Sequence, residues 1–147
     1  MSFLGQVRKK ALQANRRIVL PESFDERILR AVAEILKEKV AQPVLIGNPD
    51  RIMNDAKAYE ISLQGARIVD PENFERFEVY VDKLVELRAK KGMTREEASS
   101  ILKNDINFFG AMMVKMGDAD GMVSGASSPT EKVLKAALQV IGTKPGM

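Results

Sequence analysis

Residues 17–31 read RIVLPESFDERILRA. Arg17-Ile18-Val19-Leu20-Pro21 is a short apolar run without alternating polarity, and its proline has no N–H to extend a ladder, so it reads as a buried strand that stops there. Ser23 and Glu26 follow at S-x-x-E spacing, a capping-box pattern that opens a helix. Ile28, Val32, Ile35 and Leu36 then share one face at helical spacing. A strand buried on both faces that leads into an amphipathic helix is the unit of a parallel sheet covered on both sides.

The same unit recurs along the chain. Pro43-Val44-Leu45-Ile46-Gly47 is a second buried strand, and Asn48 and Pro49 suit the N-cap and first position of a helix through Ala58. Ala66-Arg67-Ile68-Val69-Asp70-Pro71 is a third strand. The helix after it runs through Leu87, with Phe77, Tyr80, Val81 and Leu84 inward, and Thr94 and Glu97 form a further capping box. Ahead of all these, Phe3 to Ala14 has the pattern of an amphipathic helix. The predicted fold is α/β, a three-layer α/β/α domain with a mostly parallel sheet.

The segment from Asp105 to Leu134 carries the candidate site. Asp105 to Met116 reads as a helix with Ile106, Phe109, Met113 and Met116 on one face and Gly110 in the same stripe. A helical glycine costs about 1 kcal/mol against alanine, so Gly110 marks the close approach of a neighbour. Gly117 suits a left-handed cap, and Asp118 and Asp120 lie in the turn that follows. Gly121-Met122-Val123 is a short strand, with Ser124, Gly125, Ala126 and Ser127 at its carboxyl end. Ser128, Pro129 and Glu131 then open another helix as a capping box. Open α/β sheets bind ligands outside the carboxyl ends of strands, and small residues there let backbone amides reach an anion. A tight turn and a helix cap account for the same residues equally well. The segment is neither a P-loop nor a G-x-G-x-x-G fingerprint. Met112, Met113, Met116 and Met122 read as core filler.

The 147 residues suggest about one domain, 45% hydrophobic and 29% charged. The sequence has no Cys and no His. That removes thiolate and imidazole chemistry, so acid–base work falls to Asp, Glu, Lys or Tyr. Net charge is +3, too little to imply nucleic-acid binding. Basic residues cluster at Arg8, Lys9, Lys10, Arg16 and Arg17, and again at Arg88, Lys90, Lys91 and Arg95. They read as solvated helix ends or as a local field for a small anion. Neither a signal peptide nor a membrane span is legible, so the expected location is cytoplasmic. Gly142 to Met147 is a Pro-Gly-containing linker and reads as a domain boundary.

Beyond local physics, six runs carry a resemblance: NFFGAMMVKMGDADGMVSGA, VLPESFDERILRA, PVLIGNP, ARIVDP, ELRAKKGMT and LQVIGTKPG. In order and spacing they resemble the phosphate acetyltransferases of the phosphate acyltransferase family, across essentially the whole chain. The resemblance implies a two-domain α/β/α enzyme with its active site between the domains, residues 1–147 forming the first domain. The implied reaction passes an acyl group between acetyl phosphate and coenzyme A, in a homodimer, by direct thiolate attack. Coenzyme A is then a substrate, and no cofactor or metal is expected. In the ELR segment the family's active-site arginine corresponds to Arg88. A second family arginine corresponds to Lys135, which keeps the charge but loses the bidentate fork. The turn Ser124, Gly125, Ala126, Ser127, Ser128 is the implied substrate-binding segment, with serine where the family usually has histidine. The family's catalytic aspartate lies beyond the stretch present here, so the chain is expected to be an inactive N-terminal fragment by itself. Phosphate butyryltransferase and an acetyl-CoA-sensing regulatory domain are the alternative readings, and the start Met1-Ser2-Phe3-Leu4 favours a stand-alone enzyme over a fusion.

Overall fold

The structure, a computed structural model, describes Gln6 and residues 14–142. Apart from Gln6 and Ala14, both helical, the helix expected over Phe3 to Ala14 lies outside the described residues. So do the first basic cluster up to Lys10 and the linker after Gly142.

Four parallel strands form one sheet in the order β3-β2-β1-β4: β1 Arg17–Leu20, β2 Gln42–Ile46, β3 Arg67–Val69 and β4 Gly121–Met122. Val19 pairs with Val44 on one side and with Met122 on the other. Successive side chains of a strand point to opposite faces, and both faces are covered. Leu20 and Leu45 pack on one face under α1 (Glu26–Glu38) and α2 (Pro49–Ala58), with Ile28, Leu29, Val32 and Ile52. Val19, Val44, Ile46 and Val69 pack on the other, under α3 (Phe77–Leu87), α4 (Arg95–Asn104), α5 (Ile106–Lys115) and α6 (Thr130–Ala136), the last continued by a π-helical turn, Ala137–Ile141. The three layers are those the buried strands predicted.

Local signals hold where the chain decides its own geometry. Asn48 accepts from the Arg51 N–H ahead of Pro49, and Thr94 accepts from the Glu97 N–H. The face of α3 is as expected, with Phe77, Tyr80, Val81 and Leu84 buried. Two caps differ. Asp25 caps α1, accepting from the Arg27 N–H, because the Ser23 hydroxyl is drawn inward: it donates to the Ile46 carbonyl and accepts from Arg51. Ser23 is 1% exposed, and a buried hydroxyl without partners would cost about 1–3 kcal/mol. At α6 the residue before the helix is Pro129 and no side chain caps it, because Ser128 is engaged elsewhere.

α5 departs from the one-faced helix expected. Asn107 through Met113 are all buried, since the helix is enclosed by the sheet on one side and by other helices on the rest. An all-round apolar helix belongs in such a place. Gly110 makes it fit: a Cβ there would lie 2.7 Å from Met122 Sδ and 3.3 Å from Val19 Cγ1. Phe109 meets Phe74 and Tyr80 with ring centroids 5.4 and 5.5 Å apart.

Candidate functional site

The strand order reverses at β1, with β2 and β3 laid outward on one side and β4 on the other. At such a reversal the two strand-end loops diverge and leave a crevice beyond the carboxyl ends, where doubly wound sheets take ligands. Here the loops are Pro21–Asp25 after β1 and Val123–Pro129 after β4.

Side chains tie the two loops together. Glu22, 0% exposed, turns its carboxylate into the second loop. Its Oε1 accepts the N–H groups of Gly125 at 2.7 Å and Ala126 at 2.9 Å, and its Oε2 accepts those of Ser127 and Ser128, each at 2.6 Å. Gly125 supplies the φ of +119° that bends the chain so these amides converge. Burial alone would raise the Glu22 pKa, but the four amides outweigh it and hold the group at about 2 against an ordinary 4.5. The Ser124 hydroxyl donates to Asn107 Oδ1 at 2.6 Å, with Glu22 Oε1 3.3 Å away, and Asn107 Nδ2 donates to Ser128 Oγ at 3.1 Å. From α1, Arg27 donates to the Ala126 carbonyl at 2.6 Å and the Ser127 hydroxyl donates to Asp25. The Arg27 guanidinium and the Ser127 hydroxyl hold the Asp25 carboxyl well below the usual range.

The expectation that the amides of this turn are open to an anion meets a different geometry: all four are bound to a carboxylate of the same chain. The Ser124 and Ser127 hydroxyls give their protons to Asn107 and Asp25, which leaves the Ser128 proton uncommitted. A cavity of about 270 Å³ lies beside it, lined among others by Phe24, Asn107, Ser127, Ser128 and Lys132.

The two expected cations stand apart from this network, and no hydrogen bond or ion pair among the described residues joins either to the turn. Arg88 follows α3, its backbone N–H on the Leu84 carbonyl and its buried side-chain Nε without a hydrogen-bond partner. A buried unpaired guanidinium N–H is a donor in need of an acceptor. Lys135 lies exposed in the last turn of α6. Arg95, by contrast, is paired with Glu78 and Asp82. The turn aspartates are engaged in structural pairs. Asp118 binds Arg76 and the Tyr80 hydroxyl, whose pKa burial and then Asp118 push upward. Asp120 accepts from the Arg17 N–H at 2.8 Å and pairs with its guanidinium, and both contacts lower its pKa. Both aspartates lie at the amino end of β4, opposite the crevice.

Sequence reasoning did not single out Glu22, Asn107, Arg27 or Lys132. A signal for Glu22 existed, since a charge directly after a buried strand and its proline has no helix face to occupy. Among the described residues, no three His, Cys, Asp or Glu side chains are placed to hold a metal ion. None of the described helices is long and apolar enough to cross a membrane.

A parallel sheet wound both ways from β1, with a polar crevice at the reversal, defines a doubly wound α/β domain. A family model described as "Phosphate acetyl/butaryl transferase" matches residues 2–147, and the chain belongs to that family. It is 45% identical over 146 residues to a phosphate acetyltransferase of Acetivibrio thermocellus, covering 99% of this chain and 43% of that protein. It is 42% identical to a phosphate acetyltransferase of Bacillus subtilis, covering 99% and 44%. A phosphotransacetylase structure from Streptococcus pyogenes superposes with a TM-score of 0.91 at 39% identity, over all of this chain and 45% of that one. EutD phosphotransacetylase from Staphylococcus aureus gives 0.89 at 35%, covering 98% and 43%. The chain thus spans less than half the length of these relatives.

Proposed function

We propose that this chain forms one wall of the active site of a phosphate acetyltransferase, acting as the first of two domains in a polypeptide of its relatives' length. The observation that carries the reading is 45% identity, spread over 99% of the chain, to a relative of that name. The reaction joins the coenzyme A sulfur to the acyl carbon and breaks the bond from that carbon to the phosphate oxygen. A free thiol has a pKa of about 8.5, so it gives up its proton as it attacks. The acceptor is a carboxylate in the part of the relatives' length that this chain does not span, consistent with Asp118 and Asp120 being held at the wrong end of the sheet.

This chain's share is the anion and the fixed turn. Arg88, with its unpaired buried Nε, meets the phosphoryl group, and Lys135 adds charge as phosphate leaves. Ser128 offers its hydroxyl at the crevice, while Ser124, Gly125, Ala126 and Ser127, the last with its proton on Asp25, shape the turn that carries it. No covalent intermediate on the protein and no cofactor is required. The enzyme works in the cytoplasm as a homodimer. The test follows thioester formation from acetyl phosphate and coenzyme A. The longer polypeptide turns over, faster with acetyl than with butyryl phosphate, and the 147-residue chain alone does not. Turnover that copurifies with the short chain, or none from the longer one with either acyl phosphate, overturns the proposal.

A further inference from the structure

We propose that Glu22 is the positioning residue of the switch-point turn: it permanently fills the amide cradle of Gly125–Ser128, so that the turn meets its substrate through the Ser128 hydroxyl and not through backbone amides. The link to substrate rests on the acyl-transfer reading above, whereas the filling of the cradle does not.

Four amides converging on one point from a glycine-bent turn form the backbone nest that proteins use for phosphate. In this chain the nest holds a carboxylate delivered from the adjacent strand, at 2.6–2.9 Å from all four nitrogens. Glu22 follows β1 within two residues and is fully buried, so the carboxylate is tethered and pre-placed, and it competes with any dissolved anion at high effective concentration. A phosphate taking its place would leave a buried, ionised carboxylate without partners, the costly way to break a buried charge contact. Among the described residues the charged groups beside Glu22 are Asp25 and Arg27; Arg27 attracts Glu22 through space but gives its hydrogen bonds to Asp25, at 2.7 Å, and to the Ala126 carbonyl.

The cradle also sets the direction of the hydroxyls. With the Ser124 proton given to Asn107 Oδ1, the Asn107 amide group faces Ser128 and donates to its Oγ. The Ser128 proton is then free to point to an acceptor-only oxygen, the kind a phosphoryl group presents. Lys132 lines the same cavity. One buried carboxylate therefore fixes the backbone of the turn, and Asn107 converts that into outward donation.

The experiment uses the 147-residue chain and amide NMR, with inorganic phosphate and acetate as probes. In the wild type, the resonances of Gly125, Ala126, Ser127 and Ser128 lie downfield together and do not move when phosphate is added. In Glu22→Ala they shift upfield, and acetate, a free carboxylate of matching shape, returns them downfield. If the alanine variant does not fold, Glu22→Gln serves, since an amide side chain has one acceptor oxygen in place of two. Two of the four resonances then shift and two stay. Phosphate moving all four wild-type resonances would show the nest to be a substrate site. Unmoved resonances in the folded variant would show that Glu22 does not hold them. No turnover is measured, so an enzyme without acyl-transfer activity would leave this result standing.

Discussion

Gly110→Ala tests the packing that brings α5 onto the sheet. Alanine improves helix propensity by about 1 kcal/mol, so on an open helix the change would stabilise. Here the new Cβ would lie 2.7 Å from Met122 Sδ, 3.3 Å from Val19 Cγ1 and 3.4 Å from Ile46 Cδ1. The thioether is the end of a flexible chain and can swing aside. Val19 cannot, being branched at Cβ and 0% exposed in an interior strand. Over-packing of a filled core costs about 1–3 kcal/mol. After the propensity gain, the variant should be less stable by about 1 kcal/mol, a fall in Tm of about 2–4 °C for a domain of this size. Urea titration and thermal melts measure it. Val19→Ala removes the neighbour that cannot yield, so Gly110→Ala should cost less in that background, a non-additive pair on a double-mutant cycle. A single variant as stable as the wild type would mean that Met122 alone yields and that glycine is not required for the approach.

Two further outcomes follow from the site. Glu22 has its folded pKa depressed to about 2 from 4.5, so its contribution to stability is complete above its unfolded pKa and is lost as pH falls toward the folded one. The stability gap between wild type and Glu22→Gln should therefore narrow between about pH 5 and pH 3, and a gap independent of pH would contradict the ionised cradle. Lys135→Arg in the longer polypeptide should lower KM for the phosphate-bearing substrate without abolishing turnover, because a guanidinium grips two phosphate oxygens. Unchanged KM and kcat would place Lys135 outside the site.

The fold was legible because burial on both faces leaves a mark in sequence. Ile18–Leu20 and Val44–Ile46 are apolar without alternation, and each is followed by a helix with one apolar face. Asn48 and Thr94 were legible as caps because their hydrogen bonds close within three residues. Ser23 was not, since its partners, Ile46 and Arg51, come from another strand and helix. The same limit hid the site's central contact. Glu22 binds amides more than a hundred residues away, and nothing in the local spacing of either loop records it. The serine-rich turn was visible as small residues at a strand end, but what its amides hold was not. Arg88 was reached through family resemblance, and its unpaired Nε emerged only with its buried surroundings.

The most direct test of the account is the pair Arg88→Ala and Arg95→Ala in the longer polypeptide, assayed for acyl transfer between acetyl phosphate and coenzyme A. Arg88 keeps a buried donor unused within this domain, whereas Arg95 is already bound to Glu78 and Asp82 on an exposed helix face. Losing a charged donor to a phosphoryl group should lower kcat/KM about a hundredfold or more at Arg88, and by less than about threefold at Arg95. Equal losses from both substitutions would contradict the assignment and reduce Arg88 to one charge in a general basic field.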